Sequence, residues 1–82
     1  MSPRKRKPKP ALAPMREVTI AENMIRLGQL LKLSGLAESG AEARSLVQEG
    51  QVHVNGEVET RRGRQLHRGD LVTVDGERVR VA

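Results

Sequence analysis

Eighty-two residues are enough for one small domain, and a tail would shorten it further. The absence of cysteine excludes a disulfide framework and a thiolate metal site, and it points to a reducing, intracellular setting. The formal net charge is +5, but residues 1–15 carry five basic side chains and no acid, so residues 16–82, with ten of each sign, are neutral. Any binding face on the body must therefore come from segregation of charge, not from excess.

No apolar run approaches the roughly 18 residues of a membrane span. "ALAPM" (11–15) is too short and proline-broken to be the apolar part of a signal peptide, so a cytoplasmic protein is expected. Aromatic residues are absent. Readers of unstacked single strands usually stack bases on Phe, Tyr or Trp, so a nucleic-acid ligand would be read here by backbone and shape.

In chain order, residues 1–15 hold all four prolines and no periodic apolar pattern, the composition of a disordered basic tail. Such a tail serves either as a solubilising extension or as a non-specific arm for polyanions. The segment 16–82 is the folded domain. "REVTI" (16–20) alternates as a short strand. Asn23 is a candidate cap for a helix from about Met24 to Ser34, in which Leu27, Leu30, Leu31 and Ser34 share a face. Gly28 weakens that helix by about 1 kcal/mol relative to alanine. It lies beside the buried stripe, where a missing side chain permits close packing of a second element.

"SGAE" (39–42) matches a capping box, and Ala43, Leu46 and Val47 form the apolar face of the helix that follows, which Gly50 ends. Arg44 and Gln48 lie on one flank of that face, and Glu42, Ser45 and Glu49 on the other. The period then changes to two. Val52, Val54 and Val58 alternate around Asn55-Gly56, a strong hairpin signal. "LVTV" (71–74) and "RVRV" (78–81) are strands joined by the tight turn "DGE". The domain reads β-α-α-β-β-β-β. Its expected class is α+β, with two helices packed on a small, mostly antiparallel twisted sheet.

Catalysis has little support. Ser39 is accounted for as a cap and Asp70 as a turn residue, so Ser39, His67 and Asp70 make a poor triad. Two histidines do not make a metal site, and the phosphate-cradling glycine signatures are absent. No cofactor and no enzymatic activity are expected. The helices could form a helix-turn-helix, but Glu42 and Glu49 would be repelled by a DNA groove, and four strands would be surplus.

The informative stretch is "ETRRGRQLHRGD" (59–70). Arg61, Arg62 and Arg64 follow a strand whose outward residues are expected to be Glu57 and Glu59. Pairing with those two carboxylates is the plain explanation, yet three arginines in four positions exceed what two acids can use. Guanidinium forks match phosphate oxygens bidentately. Leu66 tethers the run to the core.

Residues 25–74 run LGQLLK, SG-x-x-AR, G-x-V-x-VNGE, RRGRQL and GD-x-V, in that order. This order resembles the S-four-type RNA-binding domain, and most closely its short stand-alone bacterial members of YbcJ type. The resemblance implies a compact αL motif that docks on structured RNA through its two helices and the adjoining strand-loop edge. Carried over by position, it implies an RNA-binding surface of Lys32, Arg44, His53, Asn55, Arg61, Arg62 and Arg64. Gln48, on the flank of Arg44, joins Asn55 as a source of hydrogen bonds to 2′-hydroxyls or base edges. The plain alternatives are a solvated Lys32 and an Asn55 that serves its turn. Ala41 stands where the stand-alone members often have a second glycine, and Arg44 where they have lysine.

The expected function is that of a non-enzymatic, monomeric RNA-binding protein acting on rRNA or tRNA in a ribosome-related role. Neither a membrane nor DNA is an expected partner. The alternative from another class is a protein-interaction adaptor that offers its sheet edge and basic tail to an acidic partner.

Overall fold

The structure is a computed structural model that describes residues 15–82, so the expected basic tail lies almost wholly outside the described residues. The chain forms β1 (Arg16–Val18), β2 (Ile25–Arg26), α1 (Leu27–Leu33), α2 (Gly40–Gln48), β3 (Val52–Val54), β4 (Glu57–Val58), β5 (Gln65–Leu66), β6 (Leu71–Val74) and β7 (Glu77–Val81). Five strands make one sheet in the order β1-β7-β6-β3-β4, and β2 pairs with β5 in a separate two-stranded sheet. Only the β1–β7 pair of the larger sheet is parallel. The expected α+β class and mostly antiparallel sheet are what the fold shows.

Alternation in the strands sorts their side chains. Val52, Val54, Val72, Val74, Val79 and Val81 point to one face and are fully buried with Leu27, Leu30 and Leu31 of α1 and Ala43, Leu46 and Val47 of α2. His53 pairs with Thr73 and Val58, and Leu71 with Arg80, so these residues share the opposite face. Both two-residue hairpin turns, Asn55-Gly56 and Asp75-Gly76, place both residues at positive φ, as a type I′ turn requires.

The second helix follows its sequence signals. Ser39 Oγ accepts from the Glu42 amide at 3.1 Å, and Glu42 reaches back one residue beyond the cap, to the Glu38 amide. At the other end the Gly50 amide donates to Val47 O and the Gln51 amide to Leu46 O, a Schellman closure with Gly50 in the left-handed region.

The first helix departs from expectation. It begins at Leu27 rather than near Met24, because Ile25 and Arg26 are held extended against Leu66 and Gln65. Asn23 is not its cap; its side chain accepts from Arg68 instead. The first amides of α1, which have no partner within the helix, are satisfied by the basic run itself: Leu27 N donates to Arg64 O and Gly28 N to Arg62 O, both at 2.9 Å. The second element that Gly28 admits is this loop.

Leu66 is fully buried and sits on β5, so it anchors the loop to both β2 and the core. Truncating it leaves a cavity where strand, helix and sheet meet. Leu66→Ala should lower unfolding stability by about 2–4 kcal/mol, read as a fall in the urea midpoint with an unchanged slope.

Candidate nucleic-acid interface

The loop between β4 and β5 is organised by one carboxylate. Glu59, expected to point outward beside Glu57, is instead only 5% exposed. The correction has a simple cause. Glu57 pairs with Val54 and the Glu59 amide bonds to Val52 O, so both glutamates share the face of the buried valines, where Glu59 meets two guanidinium groups. Val58, expected to alternate inward, shares the other face with His53 and is exposed. Its Oε2 accepts from the backbone N–H and the Nε of Arg61, at 2.9 and 3.0 Å. Its Oε1 accepts from Arg64 Nη1 at 2.7 Å. The hydrogen bonds from Arg61 and then Arg64 outweigh burial and hold this carboxyl at about 2, well below its usual 4.5.

The plain explanation of the arginine run is therefore half right. Glu59 engages Arg61 and Arg64, Glu57 engages neither, and Arg62 is left over. Among the described residues the Arg62 guanidinium has no hydrogen bond or ion pair. It lines an open groove of about 370 Å³ together with Arg26 and Lys32. Gly28, Gln29, Gly40, Ala43 and Gly63 complete the lining, and no acidic residue contributes. Arg26 Nη1 also donates to Gly63 O at 3.0 Å, which ties the start of α1 to the tip of the loop. Gly63 also borders a second open hollow, of about 520 Å³, lined by Arg61, Arg64, Gln65 and His67.

The structure thus brings Lys32 and Arg62 into one groove and places Arg61 and Arg64 along its neighbour. Arg44 and Gln48 are exposed on α2, four residues apart and so on one side of that helix. His53 and Asn55 are not in the groove. His53 lies on the sheet face turned away from the helices. Asn55 occupies a turn position at φ +53°, and its side chain bridges to the turn before β6: Nδ2 donates to Asp70 and Oδ1 accepts from the Leu71 amide at 3.0 Å. Burial pushes the Asp70 carboxyl up, but the His67 amide and Asn55 side chain outweigh it and leave it lowered.

Arg26 and Gln29 are groove residues that the sequence reading missed. A helix drawn from Met24 places Arg26 inside it, whereas Arg26 ends a strand and faces the loop. The signal available was the pair of basic residues six apart, Arg26 and Lys32, flanking the apolar stripe at both ends.

The lowered Glu59 carboxyl makes stability depend on acid. Because its folded value lies below its unfolded one, the contribution is fully present above about 4.5 and is lost as the pH falls toward about 2. Glu59→Gln should be less stable than the parent at pH 7, and the gap should narrow as the pH falls through that window. Thermal melts at pH 7, 4.5 and 3 measure it, and a gap independent of pH would contradict the assigned role.

Among the described residues no helix is long and apolar enough to cross a membrane, and no cluster of three or more His, Asp or Glu could hold a metal. Residues 18–82 match the family model described as the S4 domain. The "Probable ribosome maturation protein RlbA" of Bacillus subtilis (strain 168) is 44% identical over 59 residues, which cover 72% of this chain and 83% of that protein. YbcJ of Escherichia coli (strain K12) is 46% identical over 57 residues, covering 70% and 81%. The solution structure of E. coli YbcJ, described as revealing an αL motif involved in RNA-binding, superposes with a TM-score of 0.59 at 35% identity and spans 100% of this chain and 99% of that one. The ribosomal protein S4e of Thermoplasma acidophilum shares the fold, with a TM-score of 0.57 at 22% identity over 72% of this chain and 31% of that one. With the motif order of residues 25–74, the αL architecture and these matches in agreement, the chain belongs to the S4 domain family.

Proposed function

We propose that this protein binds structured RNA, rRNA or tRNA, in a ribosome-related role and without chemistry of its own. The observation that carries the reading is the groove between the helices and the 59–64 loop, where Arg26, Lys32 and Arg62 converge with no acid. A phosphate entering it meets three cations on a body whose net charge is zero, so the attraction there comes from segregation of charge and not from excess. The glycine and alanine walls allow a sugar-phosphate backbone to come close. Family membership, and relatives named for RNA binding and ribosome maturation, support the same reading.

In this reading Arg62 and Lys32 neutralise phosphates, while Arg61 and Arg64 extend the basic surface from fixed positions set by Glu59. Arg44 and Gln48 border the surface from α2. Recognition by guanidinium groups and shape suits a chain without aromatic residues. The basic segment 1–15 adds attraction to any polyanion.

Replacing Lys32 and Arg62 together by alanine should weaken binding to deproteinised rRNA. It should also flatten the plot of log affinity against log salt by about 1.5, for two lost phosphate contacts. Filter binding across a salt series measures both, with circular dichroism reporting the fold. Unchanged affinity and slope with the fold intact would sink the reading. Removing residues 1–14 should lower affinity for rRNA, tRNA and a single-stranded homopolymer by similar factors, and loss for one RNA alone would show that the segment discriminates.

A further inference from the structure

Gly28 stands at the second position of α1, directly against the stem of Arg62. A Cβ at residue 28 would lie 2.7 Å from Arg62 Cγ, closer than packed carbon atoms tolerate, and a tight 3.2 Å from Arg62 Cδ. The nearest backbone atom, Arg62 O, would be at 3.6 Å, an ordinary contact. The obstruction is therefore to the arginine side chain, and the hydrogen bond from Gly28 N to Arg62 O does not require a glycine.

The usual reasons for glycine do not apply here. Gly28 is not among the residues at positive φ, and it lies inside a helix, where glycine is the poorest choice after proline. Arg61 and Arg64 are held by Glu59, whereas the guanidinium of Arg62 has no such partner. What remains to hold Arg62 is its stem.

We infer that Gly28 is the positioning residue for Arg62. By lacking a side chain it lets the aliphatic stem of the arginine pack on the first turn of α1, so that the guanidinium enters the groove beside Lys32. This rests on the reading of that groove as the RNA site. A side chain at position 28 would displace the stem and cost affinity, although it favours the helix. Residue 28 thus sets how well the groove takes a phosphate without touching the RNA through a side chain of its own.

The test is a double-mutant cycle on the full chain, with deproteinised rRNA as the probe. Arg62→Ala should weaken binding by about tenfold, the loss of one charge-assisted contact. Gly28→Ala should weaken it by about fivefold to tenfold while the melting temperature stays level or rises. In the Arg62→Ala background, Gly28→Ala should cost nothing further. Two results would overturn the inference: a Gly28→Ala protein that binds as the parent does, or an equal loss in both backgrounds. If Arg62→Ala alone binds normally, the groove reading fails first and takes this inference with it. Should Gly28→Ala fail to fold, the melt of the double variant decides. Recovery of folding in that variant identifies the Arg62 stem as the obstruction, and no recovery overturns the assignment.

Discussion

The path of the basic loop depends on the buried carboxylate of Glu59. A charge removed from water is costly unless nearly every lone pair finds a donor, and here the donors are the Arg61 amide and the side chains of Arg61 and Arg64. Meeting that demand bends residues 59–64 around one point. The bend brings the carbonyls of Arg62 and Arg64 to the first turn of α1, where they satisfy amides that no side chain caps. Loop and groove thus form around one buried charge, while the pairing of β2 with β5 fixes where α1 begins.

This arrangement divides the labour among three arginines that look equivalent in sequence. Two are spent largely on Glu59 and give the loop its shape. The third is left with its charge uncommitted and its stem against a helix. A lysine in place of Arg61 could not offer Glu59 both a backbone and a planar side-chain donor set from one residue. The domain needs no excess of positive charge to make a cationic site; it needs its acids placed elsewhere, or consumed.

Much of the fold was legible in the residues themselves. The Asn-Gly and Asp-Gly turns, the Ser39 cap and the alternating valines of β3, β6 and β7 specify their elements through local sterics and short-range hydrogen bonds and appear where expected, whereas Val58 is exposed on the face of His53. What escaped was mostly non-local. The start of α1 depends on the β2–β5 pairing and on carbonyls more than thirty residues away, not on a side-chain cap at Asn23. Strands of two residues, such as β2 and β5, carry too little periodicity to be read. The orientation of Glu59 follows from the two-residue turn, which pairs residue 54 with 57 and so carries both glutamates to the face of Val52 and Val54; counting Val58 among the inward valines reverses it. For the same reason the site was only partly legible: the arginine run was evident, but which arginine stays free depends on where one glutamate turns. Asn55 is legible only in its backbone: its positive φ follows from the turn, but both ends of its amide bond to residues 15 and 16 positions away.

The order of strands has a consequence for how the molecule comes into being. The first strand, Arg16–Val18, has as its sole neighbour in the sheet the last one, through the pairs Arg16 with Val79 and Val18 with Val81. During synthesis it must wait, unpaired, while more than fifty residues are added, and the helices and the β3–β4 hairpin can form meanwhile. Closure of the sheet is then a late event that joins the two flanks of the domain. A chain halted before β7 would carry both helices and the whole of the 59–64 loop, but β1 would have no strand to pair with.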